Sequence, residues 1–418
     1  MIRRALFVAA LFSLALRPAA PVRAQSDVVA ALMKDPAVAA ARAAVRDGEA
    51  RVVRDQVELT AIPAPEFDEA ARGLAMKQRF AGLGLRNVRI DRVGNVIGER
   101  PGRAARPNLV VAAHLDTVFP KGTDVHVTEE GNLLRAPGVG DDGRGLGVLL
   151  GVIRALDTGH VQTAGTITFV ADVGEEGLGD LRGMRELFGV TLKGQIDAFV
   201  SIDGAGFGTT NVGVGSHRYR VTFHGPGGHS FGAFGLVNPI HALGRAVARI
   251  ADLQVPSTPK VTFKVGRIGG GTSVNSIASE AWFEMDMRSS DPKALAAIDA
   301  GFQRTLDEAV RDESNRWKNG RLTVTRDLVG DRPAGHTPDT APIVRTAIAV
   351  NSALGLPVSL GEGSTDANLP MSLAVPAITI GGGGKGSGAH SPAESFDTTD
   401  SWKGTDRVLL LVISLAGR

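Results

Sequence analysis

The chain has 418 residues, 43% hydrophobic and 22% charged, which is enough apolar material for two packed domains and excludes a disordered polymer. It holds no cysteine, so disulfides, a thiolate nucleophile and a cysteine-linked lipid anchor are excluded. The net charge of +2 becomes −2 once Arg3, Arg4, Arg17 and Arg23 are set aside with the acid-free first 24 residues, so no nucleic-acid surface is expected.

Those first 24 residues read as a secretory signal peptide. Arg3 and Arg4 form a basic start, Ala5 to Leu16 an apolar stretch, and Val22-Arg23-Ala24 a small-residue cleavage site. The apolar stretch is too short to span a bilayer, so the cut is expected before Gln25 and the mature protein in a periplasm or outside the cell, with no membrane span.

Residues 27–80 carry helical periodicity, broken by Ile62-Pro63-Ala64-Pro65 and resumed from Phe67 to Leu83. Strand-like runs at Val88 to Ile90, Leu109 to Ala113 and Thr166 to Val170 then alternate with a helix from Gly145 to Leu156. This alternation predicts an α/β fold, a mostly parallel sheet with helices on both faces. The texture changes near His217. Strands at Tyr219 to Phe223, Val261 to Val265 and Ala281 to Met287, with helices at Pro239 to Ile250 and Pro292 to Val310, make an α+β unit. The helix from Ala341 to Leu354 and the runs Ala377 to Ile380 and Val408 to Leu415 return to the first texture. One catalytic domain, residues 25–215 and 329–418, is therefore expected to be interrupted by an inserted domain at 216–328. The Gly-rich segment 381–388 reads as a flexible loop that delivers His390.

Polar residues cluster at the edges of these apolar runs: His114-Leu115-Asp116, Gly140-Asp141-Asp142-Gly143, Glu175-Glu176, Asp203 and His390. Each has a bland reading alone: a buried histidine, an Asp-Gly turn or a solvated glutamate pair. Their joint occurrence at strand ends, where open α/β sheets place their sites, suits two zinc ions sharing a carboxylate. Asp116 is expected to accept the second imidazole N–H of His114. Of two adjacent glutamates, one can ligate metal while the other takes a proton. His126, His160, His217, His224, His241 and His336 lack convergent carboxylate neighbours in the sequence and are read as surface or packing residues.

With these motifs in place, nearly the whole mature chain resembles the co-catalytic zinc peptidases of clan MH, among them peptidase T, carboxypeptidase G and succinyl-diaminopimelate desuccinylase. The resemblance implies His114, Asp141, Glu176, Asp203 and His390 as ligands of two Zn²⁺, for which Co²⁺ or Mn²⁺ could substitute. It implies Asp141 as the bridge, with a cis peptide bond after it, Asp116 as orienter of His114, and Glu175 as general base. The insert resembles the family's lid and dimerisation domain. There His229, in Gly227-Gly228-His229-Ser230, would reach the neighbouring subunit's site and support the oxyanion. Asn275, Arg288 and the loop at Gly363 match residues that bind substrate. One departure is Arg144, where many relatives have a basic residue one position earlier. Asp rather than Glu at 203 favours the aminopeptidase members.

The implied reaction is amide hydrolysis of small free peptides, peptidase T-like, in a homodimer. A carboxypeptidase or N-acyl-amino-acid deacylase would use the same residues, and a metal-free periplasmic binding protein would keep only the fold.

Overall fold

The computed structural model describes residues 22–418. The expected leader lies outside the described residues except for Val22, Arg23 and Ala24, which open the first helix, Val22–Met33. No helix among the described residues is long and apolar enough to cross a membrane.

Asp35 caps the long Pro36–Thr60 helix, its Oδ1 accepting the N–H groups of Ala37 and Val38, and Pro36 occupies the first turn where no donor is needed. This helix packs on Gly143–Thr158, which is buried along nearly its whole length. Two glycines permit the approach. A Cβ on Gly151 would stand 2.7 Å from Cγ2 of Val52, and one on Gly147 3.0 Å from the Val52 carbonyl oxygen.

These helices cover a nine-stranded sheet. Its centre runs Thr166–Asp172, Asn108–His114, Ala198–Ile202 and Ala377–Ile380, all paired in parallel. The all-apolar core of Asn108–His114 is buried at every position, as a doubly covered strand demands. The sheet is mixed rather than parallel throughout. Arg86–Ile90 and Val96–Arg100 add an antiparallel edge, and Ala377–Ile380 pairs antiparallel with Thr209–Gly213 at the other side. Of these antiparallel pairs only Arg86–Ile90 and Val96–Arg100 are consecutive in the chain and joined by a short turn. The apolar run at Val408 to Leu415 lies in the buried helix Trp402–Ala416.

A second sheet, in the order Val261–Gly270, Glu280–Ser289, Gly215–His224, Thr323–Arg332, is antiparallel throughout. The strand Glu280–Ser289 alternates buried and open positions, the half-buried pattern of a one-sided sheet. Val221, Phe223, Phe283 and Met287 face the helices Pro239–Ala251 and Pro292–Trp317. The chain enters and leaves this lid side by side, since Ser216 pairs with Arg332.

The segment carrying His390 is more ordered than a flexible loop. Lys385–Ser387 and Ser395–Asp397 form a hairpin that pairs with Leu133–Arg135, so His390 sits at the tip of a tethered ladder. His217 also departs from its expected isolation. Its Nδ1 lies 2.8 Å from Asp299 and its Nε2 3.5 Å from Asp331, two carboxylates brought from distant parts of the chain.

Candidate metal centre

Parallel strands ending in register place the polar groups together. His114 closes its strand opposite Asp172, and Asp203 follows the end of the neighbouring Ala198–Ile202. Asp141 precedes the Gly143–Thr158 helix, and the peptide bond between Asp141 and Asp142 is cis. Asp142 turns away from the cluster to cap that helix, its Oδ1 accepting from Gly145 (2.9 Å) and Gly204 (3.2 Å).

Asp141 stands between the two histidines. Its Oδ1 is 3.0 Å from Nε2 of His114 and its Oδ2 is 3.0 Å from Nε2 of His390. Glu176 lies 2.9 Å from Nε2 of His390, and Asp203 4.0 Å from Nε2 of His114. Three groupings result, each with donor atoms within 4.8 Å of one another: His114, Asp141 and Asp203; Asp141, Glu176 and His390; His114, Glu175 and Glu176. Four carboxylates, Asp141, Glu175, Glu176 and Asp203, beside two imidazoles are the donor chemistry of borderline divalent cations.

The protonation states reflect a site crowded with negative charge. Hydrogen bonds to Asp141 and Glu176 push His390 up to about 10. Burial opposes the charged form of His114, yet Asp141, Asp142 and Asp116 together raise it well above its usual range. Burial and Asp141 push Asp203 up to about 7. Burial likewise raises Glu175 to about 8, against the pull of Arg332.

Asp116 does different work from that expected. Nδ1 of His114 donates to the Asp116 backbone carbonyl at 3.0 Å, while the carboxylate is 3.9 Å away. The Asp116 carboxylate instead accepts the N–H groups of Gly174, Glu175 and Glu176 at 2.8, 3.1 and 2.8 Å. Three such bonds engage both its oxygens and fix the turn that presents the two glutamates. Arg144 also lies apart from the centre, buried against Glu49, Gly382 and Ser401.

Two neighbours of the centre were invisible in the sequence. Glu394 accepts the N–H groups of Gly138, Gly140 and Asp141 and so holds the Asp141 turn from the His390 hairpin. Its only sequence signal is an acid four residues after His390. Arg332, at the end of the lid, reaches across to Glu175, with Nη1 3.1 Å from Oε1 and Nη2 donating to the Glu175 carbonyl. No local pattern marks it.

The remaining expected site residues fall in two places. His229 and Asn275 are neighbours on an exposed two-stranded ladder, where Ser230 donates to the Asn275 carbonyl and Nδ1 of His229 accepts from Phe231 and Gly232. Neither belongs to the three groupings of their own chain. Arg288 and Gly363 line one cavity of about 230 Å³ with Lys260 and Ser364.

The profile of peptidase family M20/M25/M40 matches residues 110–414, well over half the chain. Carboxypeptidase G2 of Pseudomonas sp. (strain RS-16) is 26% identical over 313 residues, 71% of this chain and 72% of that protein. Succinyl-diaminopimelate desuccinylase of Corynebacterium glutamicum is 24% identical over 242 residues, 55% of this chain and 64% of the relative. In fold, the chain is similar to a tripeptidase of Staphylococcus aureus (TM-score 0.72, 21% identity, 88% of this chain and 98% of that one). It is similar also to aminopeptidase PepT of Bacillus cereus (TM-score 0.70, 20% identity, 88% and 99%). The chain belongs to peptidase family M20/M25/M40 and is a metallohydrolase of peptide or amide bonds.

Proposed function

We propose that the chain is a dinuclear metallopeptidase of small peptides with free termini, peptidase T-like in its choice of substrate. The observation that carries this reading is Asp141, whose two carboxylate oxygens face two histidines from opposite ends of the catalytic domain. His114, Asp203 and Asp141 would hold one cation, and His390, Glu176 and Asp141 the other. Zn²⁺ suits this nitrogen and oxygen donor set, and Co²⁺ or Mn²⁺ are chemically admissible. Bound there, the cations supply Lewis-acid activation of the scissile carbonyl and of water.

Glu175 is the proton carrier. It stands next to Glu176 on the turn held by Asp116, is buried, and has Arg332 at one oxygen. It takes the proton from the attacking water and delivers it to the departing amine. Arg288, with Gly363 in the adjacent cavity, takes the substrate's carboxylate end through its planar fork. His229 stands on an exposed ladder beside Asn275 and outside the three donor groupings found among the described residues, a placement suited to a homodimer in which both would serve the partner's site. The basic and apolar start of the chain supports export to the periplasm or medium.

The test is a panel of di- and tripeptides with free or blocked termini, offered to the zinc-loaded protein. Preference for free amino termini sustains the peptidase T-like reading. Cleavage that needs only a free carboxyl end, or only an N-acyl group, replaces it with a carboxypeptidase or deacylase. Metal uptake with no hydrolysis of any member rejects the peptidase.

A further inference from the structure

The open face of the lid sheet, opposite its two helices, carries a ladder of charge that, Arg288 aside, the reaction above does not use. Register pairing sets it out. Arg218 lies across from Asp286, while Arg220 and Arg267 both lie across from Glu284 on either side of the central strand. Each carboxylate is shared by two guanidiniums. Asp286 receives Arg218 at 3.2 Å and Arg288 at 2.9 Å, and Glu284 receives Arg220 at 2.9 Å and Arg267 at 3.1 Å. Lys264 and Asp327 occupy the same face. Trp282 stiffens the arrangement: the Arg220 guanidinium is 3.9 Å and that of Arg267 5.5 Å from its ring centre.

Arg218, Arg220, Arg267, Glu284 and Asp286 line a cavity of about 620 Å³ together with Leu178 and Val329. That volume is within the range of small-molecule sites, about 300–1,000 Å³. The cavity reaches the turn that follows Glu176. Leu178 is two residues after Glu176, and Nη1 of Arg218 donates to the Gly177 carbonyl at 2.7 Å. Along the strand, Arg220 is four residues from the position paired with Arg288, about 13 Å at the rise of a β-strand. An extended substrate anchored at Arg288 therefore spans the distance in about four residues, or in fewer with a long side chain.

From this we propose that the cavity is a second substrate subsite, taking a carboxylate-bearing side chain or acyl chain with an apolar stem, and that Arg220 and Arg267 select it. The apolar stem lies on Leu178 and Val329. The carboxylate meets guanidinium donors that Glu284 leaves free, since each guanidinium has five N–H groups. The proposal rests on reading the metal centre as the place of amide hydrolysis.

The experiment compares full-length zinc-loaded wild type with Arg267→Glu, Arg220→Gln and Glu284→Gln on matched tripeptides that differ only in Glu against Gln. For the Glu peptides, Arg267→Glu and Arg220→Gln are expected to raise KM about tenfold or more with kcat retained. Glu284→Gln, which removes the competing carboxylate, is expected to lower it. The Gln peptides should be unaffected by all three. Equal changes for both peptides, or none, overturn the subsite. If wild type cleaves neither peptide, the peptidase reading has failed, and calorimetric binding of the same peptides decides the subsite. Selective binding of the Glu peptide that Arg267→Glu abolishes sustains it, and binding without charge preference overturns it.

Discussion

Asp141 joins His114 to His390: one carboxylate oxygen is 3.0 Å from each imidazole Nε2, and His114 approaches from a strand end while His390 approaches from a hairpin tip. A carboxylate so placed can belong to two cation sites at once. Wild type is therefore expected to bind two divalent cations per chain. Asp141→Ala should lose most of both, and His390→Ala should keep about one while activity collapses, because the remaining ligands still close only one shell. Metal analysis of dialysed protein checks this, and unchanged stoichiometry in both variants rejects the shared-carboxylate arrangement.

Glu175 and Glu176 are adjacent but differently engaged, Glu176 with His390 and Glu175 with Arg332. Glu175→Gln keeps the size and the backbone bonds to Asp116 but cannot accept a proton. It should retain its metal and lose at least about a hundredfold in kcat, as removal of a general base implies. Near-normal turnover would move the base elsewhere.

Tyr219 is the chain's one tyrosine, so phenolate absorbance reports it without overlap. Burial, and then the nearby Asp299, push its hydroxyl up to about 12 from an ordinary value near 10. A spectroscopic titration of the folded protein should thus find its midpoint near 12, and Asp299→Asn should bring it down. The folded value lies above the unfolded one. This contribution to stability is accordingly intact below pH 10 and is lost as pH rises from there through about 12. A midpoint near 10 in folded protein would contradict the packing of Tyr219 against Phe302 and Asp299.

His229 lies on an exposed lid ladder, outside the metal groupings of its own chain. If it completes the partner's site, His229→Ala and Glu175→Gln homodimers should both be nearly inactive. Their mixture should recover part of the wild-type rate once subunits exchange, because one site per heterodimer is intact. Heterodimers demonstrated by mass without recovered activity would exclude action in trans, and a fully active monomer would remove the need for a dimer.

Much of the centre was legible because its parts are local. A strand of seven buried residues ending in His114, a Gly-bounded Asp-Asp turn before a helix, and paired glutamates just after a strand each carry their own pattern of hydrophobicity and turn residues. The Asp116 carboxylate departs from the sequence expectation for the same reason. Proximity in sequence suggested His114 as its partner, whereas the folded turn offers it three backbone donors instead.

The sequence by itself determined the donor inventory, the α/β alternation and the change of texture at the lid, since periodicity and turn chemistry are properties of short segments. Only the tertiary structure decided which donors meet. Glu394 holds the Asp141 turn from 253 residues away, and Arg332 reaches Glu175 across 157. Such pairings carry no local signature. They follow from where the packed sheet, the His390 hairpin and the lid bring distant chain together, and from the cost of leaving a buried N–H or charge without a partner.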